Sequence, residues 1–342
     1  MNAIVADIAP ANSAGCTPLR RPNSVRRTSC IATHWPNGFG TDMVMEGYAR
    51  DALTIDPAKA PTVLAEGSCE AILTPLRLIT ALSVSPPNAN AYQLVGCRAG
   101  GHLRGKLAEH MPEERANATP LYLLLDDLSG ASLVAGWAWS RWIDEWTEKM
   151  REKTAASTAG KDGQMEGICS GFRPGSSALR PDGWGRQDIQ SAAPVGPLVN
   201  PDDPEGWHEL KPQDDVGKRR ARWIDCWLEG GKIMVESGFQ DSATSPNGGR
   251  EAIHEYRLIA VADAATGLLE RVNVDPRVLP YKECPTASGN VGVLLGTPIG
   301  DLRDTVLERL RGTAGCTHLN DMLRNLAEVP KLIDYIPDWA TR

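Results

Sequence analysis

The chain has 342 residues, 42% of them hydrophobic and 23% charged, ample for one large or two smaller cores. Lys+Arg 36 stand against Asp+Glu 43, a net charge of −7, which argues against nucleic acid as the main partner. No stretch is long and apolar enough to span a membrane. The N-terminal residues, with Asp7 and Pro10, lack a secretion-signal pattern. The 8 Cys are scattered singly without a CxxC, which suits reduced thiols in the cytoplasm.

Residues 1–24, with Pro10, Pro18 and Pro22, read as an irregular arm. Strands are expected at 25–33 and 42–48. The apolar run 71–78 contains Pro75, so it reads as an edge strand or part helix. A helical segment is expected over 94–111. Thr119 and Pro120 open another over 121–128, and Ser129–Gly130 separates it from a Trp-rich helix at 132–151. The chain has 10 Trp but only 3 Phe, which makes that helix conspicuous. Trp139, Trp142 and Trp146 would share one face, packing on a sheet or walling an apolar pocket.

Residues 154–215 are rich in Gly, Pro, Ser and Asp and read as a long loop or lid. The second half spans 216–330, before a tail at 331–342. Strands are expected at 218–228 and 232–240, turned by Glu229–Gly231, and at 252–263 and 267–274. The basic run 218–222 reads as a solvated strand start, and Asp126 and Asp127 as a solvated helix end. A helix should begin at His318, with Thr317 as its N-cap.

The halves match in places. LVG at 94–96 parallels LLG at 294–296, TPLYLLLDDL at 119–128 parallels THLNDMLRNL at 317–326, and Asp51 and Arg104 parallel Asp241 and Arg303. The expected fold is therefore α+β: two tandem pseudo-repeats over 25–153 and 216–330. Each would be an antiparallel β-meander followed by helices, joined by the long loop. Ala118 and Pro120 stand where the second half has Cys316 and His318, so building the fold does not require that reactive pair.

The reactive side chains gather late. Glu283, Cys284, Cys316, His318 and Asp321 fall within 280–326. A thiol at a helix N-terminus would have a lowered pKa. His254 and Glu255 point to opposite faces of their strand. If strand ends meet, Asp241 and His254 form an acid–base pair, with His318 a second acid or base. Glu283 and Cys284 complete the catalytic candidates, Cys284 as nucleophile. Trp139, Trp142 and Arg303 are the substrate-binding candidates. Cys284, Cys316 and His318 are candidate ligands for zinc or iron, and an Asp/His/His/Cys set with Asp241 and His254 also suits such an ion. There is no GxGxxG, GxxxxGK[ST] or GxSxG, so no nucleotide cofactor is indicated.

PYKECP at 280–285 followed by GCTHL at 315–319 resembles a bacterial family described only as a domain of unknown function. RRTS at 26–29, WPNG at 35–38 and EGYARD at 46–51 resemble its longer members. The resemblance implies a fold of strands, a Cys-containing turn and helices, and no activity. The functional expectation from the residues is an enzyme moving protons on a small, largely apolar molecule, as a lyase, hydratase or isomerase. A single-metal enzyme, a metal or iron–sulfur carrier and a structural partner protein are the alternatives. Neither nucleic acid nor membrane is an expected partner, and a homodimer is compatible with the sequence.

Overall fold

Alternation of inward and outward residues builds the strands. In β2 (Met43–Thr54) buried positions alternate with half-buried ones, and β3 (Thr62–Leu73) and β4 (Ile79–Ser85) follow more loosely. β1 (Ser24–His34) and β6 (Gly217–Glu229) are buried along nearly their whole length, because both of their faces are covered. The computed structural model describes residues 7–154 and 165–337. In it β1 to β4 form one antiparallel meander. β6, β7 (Lys232–Thr244), β8 (Arg250–Asp263) and β9 (Leu269–Val278) form another. Pairing of β1 with β6 fuses them into one sheet, and the short β5 (Ala193–Val195) adds to the start of β8.

Helices follow each meander. After β4 come α1 (Gly101–His110), α2 (Pro112–Ala116) and α3 (Pro120–Leu133), then α4 (Trp146–Thr154). After β9 a 3-10 stretch, Cys284–Leu294, leads to α5 (Leu302–Arg309), α6 (Thr317–Arg324) and α7 (Val329–Ile333). α3 packs on β1 to β3, α6 on β7, and α7 on β1 and β6. The matched LVG and LLG motifs do the same job. Gly96 and Gly296, at φ +87 and +75, donate to Ile79 O and Leu269 O at the starts of β4 and β9. The opposite face of the sheet carries the N-terminal arm and residues near 200–210, held by Arg20 to Asp203 and by Trp207 Nε1 to Thr17 Oγ1. The α+β class is thus as expected; β3 and β4 are not, since the sequence predicts only an edge strand or part helix at 71–78 there.

Several local expectations fail for physical reasons. Pro75 lies in the turn between β3 and β4, not within a strand. Ser129 and Gly130 do not end α3; the helix runs through them to Leu133. Gly130 is there for a close approach, since a Cβ would run into the Arg220 guanidinium and the Asp321 carboxylate. The Trp-rich stretch is not one helix: a 3-10 segment, Ala135–Arg141, precedes α4. Residues 331–336 are not a tail, because Leu332, Ile333 and Ile336 are in the core. The remaining tail residues, 338–342, lie outside the described residues, as do 1–6 of the arm and 155–164 of the long loop.

Neither the basic run nor the acidic pair is solvated. Lys218, Arg220, Arg222, Asp126 and Asp127 are all buried. They belong to a chain of ion pairs between sheet and helices. Arg27 pairs with Asp51 and Glu328 at 2.5 and 2.6 Å, and Arg303 bridges Glu328 and Asp126 at 2.5 and 3.1 Å. Arg324 also holds Asp126 at 2.8 Å, and Arg220 joins Asp321 to Asp241 at 3.0 and 2.8 Å. Arg222 holds Asp127 at 2.6 Å. Charges this deep persist only when paired, and the pairs link the two meanders through their helices.

Candidate functional site

His254 lies on β8 opposite Asp241 of β7, next to a register shift in the β7–β8 ladder. Strand alternation turns His254 and Tyr256 to the helix face and Glu255 to the other. There the Glu255 carboxylate accepts from Ser13 Oγ, Ala14 N and Gln240 Nε2. Cys316, not Thr317, is the N-cap of α6, and His318 on its first turn points back at the strands. The two imidazoles stack, with centroids 3.5 Å apart and planes 15° from parallel. Asp241 Oδ2 is 3.6 Å from His318 Nε2, an electrostatic contact rather than a hydrogen bond.

Asp241 is fixed from behind. Arg220 donates Nε and Nη2 to its two oxygens at 3.1 and 2.8 Å, and Lys218 Nζ is 2.5 Å from Oδ1. Burial opposes ionisation of Asp241, but Arg220 and Lys218 hold it well below the usual carboxylate range. Burial lowers Lys218 to about 8, partly offset by Asp241. Burial likewise pushes His318 down to about 3, with Asp241 opposing and Arg220 and Lys218 reinforcing. His254 is pushed well below its usual value, first by burial and then by His318. Both imidazoles are therefore neutral at neutral pH. His254 Nδ1 and His318 Nε2 are buried with no hydrogen-bond partner.

The stack borders a partly open cavity of about 360 Å³. Its walls come from three places. The end of α3 and the following turn bring Leu133, Val134 and Trp137; the loop after α4 brings Ile168, Cys169, Phe172 and Trp184; the second meander and its helices bring Ile253, Tyr281, Cys284 and Cys316. Residues of the long loop thus form one wall of this cavity. A larger groove, about 650 Å³, lies on the other sheet face against His208, Tyr48, Glu46 and Lys211; it is remote from the stack.

The structure brings Asp241, His254 and His318 together and sorts the other candidates differently. Cys284 and Cys316 do line the cavity, but burial pushes both thiols up, so the helix N-terminus does not make Cys316 a thiolate. Cys316 Sγ instead accepts from Tyr256 OH at 3.4 Å and lies 3.9 Å from His318 Nδ1. Glu283 is not at the cavity; its Oε1 accepts from Ser177 N and Oγ, anchoring the loop. Trp139 packs against Trp35 and Phe39, and Trp142 donates Nε1 to Thr244 O, so neither is on the wall. Arg303 is locked between Asp126 and Glu328. Trp146, expected on a pocket wall, does line the cavity, together with Trp137 and Trp184, which sequence spacing could not single out without the turn geometry.

Among the described residues one trio is close enough to hold a metal ion: Asp241, His254 and His318, with ligand atoms all within 4.8 Å of one another. The set Cys284, Cys316 and His318 is not gathered in this way. Two features oppose a cation at the trio. Both Asp241 oxygens already face Arg220 and Lys218, and those cations together with Arg222 already act on His318.

Residues 218–331, from β6 into α7, match a family described as "Protein of unknown function (DUF2889)". The match takes in Asp241, His254, Cys284, Cys316 and His318, and leaves the α3, Trp137 and loop walls of the cavity outside it. Comparison with curated proteins and with solved structures finds no match. No helix among the described residues is long and apolar enough to cross a membrane.

Proposed function

We propose that this chain, whose second meander carries a domain of unknown function, is an enzyme that moves a proton on a small, largely apolar organic molecule. The observation that carries this reading is the neutral His254–His318 stack at the edge of an apolar cavity, each ring with a buried, unpartnered nitrogen. A neutral imidazole can accept a proton from carbon or oxygen and return it elsewhere. Asp241, clamped by Arg220 and Lys218, is a positioning residue: its charge faces His318 Nε2 and stabilises the imidazolium as it forms. Lyase, hydratase and isomerase chemistry all fit this machinery. A single-metal site on the same trio is the second reading, favoured by the closeness of the three ligand atoms.

The test is solvent deuterium. Uncharged aromatic and alicyclic compounds are screened for quenching of the tryptophan fluorescence, and those that bind are incubated with the protein in heavy water. Gain of deuterium by a bound compound, lost in His254→Phe and His318→Phe while binding persists, is the expected result. Compounds that fill the cavity yet gain no deuterium would overturn the reading. Zinc or iron at one equivalent in the purified protein, lost in His318→Phe, would favour the metal reading instead.

A further inference from the structure

Two tryptophans on the cavity wall have buried indole N–H groups without acceptors. Trp137 is buried on its wall, and the indole Nε1 has no partner. Trp146, whose ring lies against Gly136 on the same wall, has an unpartnered Nε1 as well. An indole N–H can only donate, and a buried one normally finds an acceptor. Two other tryptophans show the ordinary case: Trp142 donates to Thr244 O at 3.1 Å and Trp207 to Thr17 Oγ1 at 3.0 Å. Trp139 Nε1 also lacks a partner, but its ring packs edge-on against Trp35 and Phe39, away from the cavity.

The charge inventory narrows the ligand further. Among the described lining residues no Asp or Glu faces the cavity. The one guanidinium, Arg180, is already ion-paired with Glu148 and Asp182 at 3.1 and 3.4 Å. Nothing on this wall compensates a charged ligand, and burying one unpaired is costly. The wall instead asks for an uncharged molecule with an acceptor oxygen.

We infer that the ligand of this cavity is an uncharged, mostly hydrocarbon molecule bearing an enolisable carbonyl group, whose oxygen accepts from Trp137 Nε1–H and whose α-carbon lies against the His254–His318 stack. This rests on the proton-transfer reading above and names its substrate class. The step balances without a further reactant. The α C–H bond breaks, its electron pair passes into the enolate, and the proton goes to an imidazole nitrogen. The proton then returns to the same carbon, giving exchange, or to a conjugated carbon, giving an isomer. An imidazolium alone or an enolate alone would be disfavoured by burial. Formed together they are neutral overall, and the indole N–H groups supply the donors for the enolate oxygen.

The experiment uses the full chain with two probes of nearly the same shape, 2-tetralone and tetralin. The ketone should bind about tenfold more tightly than the hydrocarbon. Trp137→Phe should bring the ratio close to one with little change for tetralin, and Trp146→Phe should lower it partially. In heavy water the α-protons of 2-tetralone should exchange faster with protein than without. Equal binding of the two compounds by the wild-type chain overturns the inference whatever the variants do, and so does a preference that survives Trp137→Phe. Tetralin binding as well as the ketone leaves the apolar-ligand reading standing without its carbonyl. Ketone preference without exchange supports the ligand class and removes the proton-transfer reading. Binding of neither compound removes both.

Discussion

His254 and His318 stack face to face, 3.5 Å between ring centroids, with Asp241 Oδ2 3.6 Å from the second ring. Two imidazolium rings at that spacing would repel, and burial already disfavours one. The pair is thus uncharged at neutral pH, beside a carboxylate fixed by Arg220 and Lys218.

The first prediction concerns pH. His318 and His208 are pushed to about 3, and His254 also lies well below its usual value, all three mainly by burial. An unfolded histidine titrates near about 6.5. Below that pH the unfolded chain takes up protons that the native site refuses, so stability is full above about pH 6.5 and falls as the pH drops toward 3. Asp127, pushed up to about 6 mainly by burial, acts in the opposite sense, because the native state binds its proton before the unfolded chain does. Asp51 and Asp225, also raised mainly by burial, act in the same sense as Asp127, but the three imidazoles carry the larger shifts. Urea unfolding should give a lower free energy at about pH 5 than at about pH 7.5, each net proton contributing up to about 1.4 kcal/mol per pH unit. A flat profile would mean that the native imidazoles titrate as they do in the unfolded chain.

A second prediction reverses a familiar sign. Replacing a glycine inside a helix by alanine ordinarily stabilises by up to about 1 kcal/mol. Gly105 in α1 has open space where a Cβ would go, so Gly105→Ala should follow that rule. Gly130 in α3 faces the Arg220 guanidinium and Asp321, so Gly130→Ala should destabilise instead. Thermal unfolding of the two variants side by side decides it; equal gains would mean that Arg220 does not pass beneath the helix.

Much of the fold was legible because strands advertise themselves. The Glu229–Gly231 turn and the alternations around it place β6 to β9 within a few residues, and Gly230 and Gly231 adopt φ +57 and +73 there. The trio Asp241, His254 and His318 could be named from residue type and strand order. Its electrostatics could not. Lys218, Arg220 and Arg222 look solvated in sequence, since nothing local reveals that Asp241, Asp321 and Asp127 will meet them from β7, α6 and α3. The same long-range pairing hid Arg303. Trp139 and Trp142 were misplaced because i, i+3, i+7 spacing puts rings on one face only in a continuous helix, and this segment breaks at Arg141.

The ion-pair chain yields a third prediction. Asp126 accepts from Arg303 and Arg324 in the buried layer between the two meanders' helices. Asp126→Asn removes the nearest counter-charge of Arg324 and one of the two that hold Arg303, which keeps Glu328, and should cost about 3 kcal/mol. Asp304, whose pairing with Arg115 is largely exposed, is the control: Asp304→Asn should leave the urea midpoint nearly unchanged. If the two substitutions cost the same, the network does not link the halves energetically.

The last prediction concerns the thiols. Cys284 and Cys316 line the cavity beside a histidine, which would suggest nucleophiles, yet burial raises both, and Tyr256 OH donates to Cys316 Sγ rather than extracting a proton from it. Reactivity follows the thiolate fraction and access. With iodoacetamide at neutral pH, Cys16 and Cys97, which are partly exposed, should label first. Cys169, at the cavity wall and pushed to about 12 by burial, should label slowly. Cys284 and Cys316 should label only when urea unfolds the chain. Peptide mapping of the alkylated protein gives the order. Rapid native labelling of Cys316 would make it a thiolate despite its burial. Protection would leave it the protonated neighbour of His318 Nδ1.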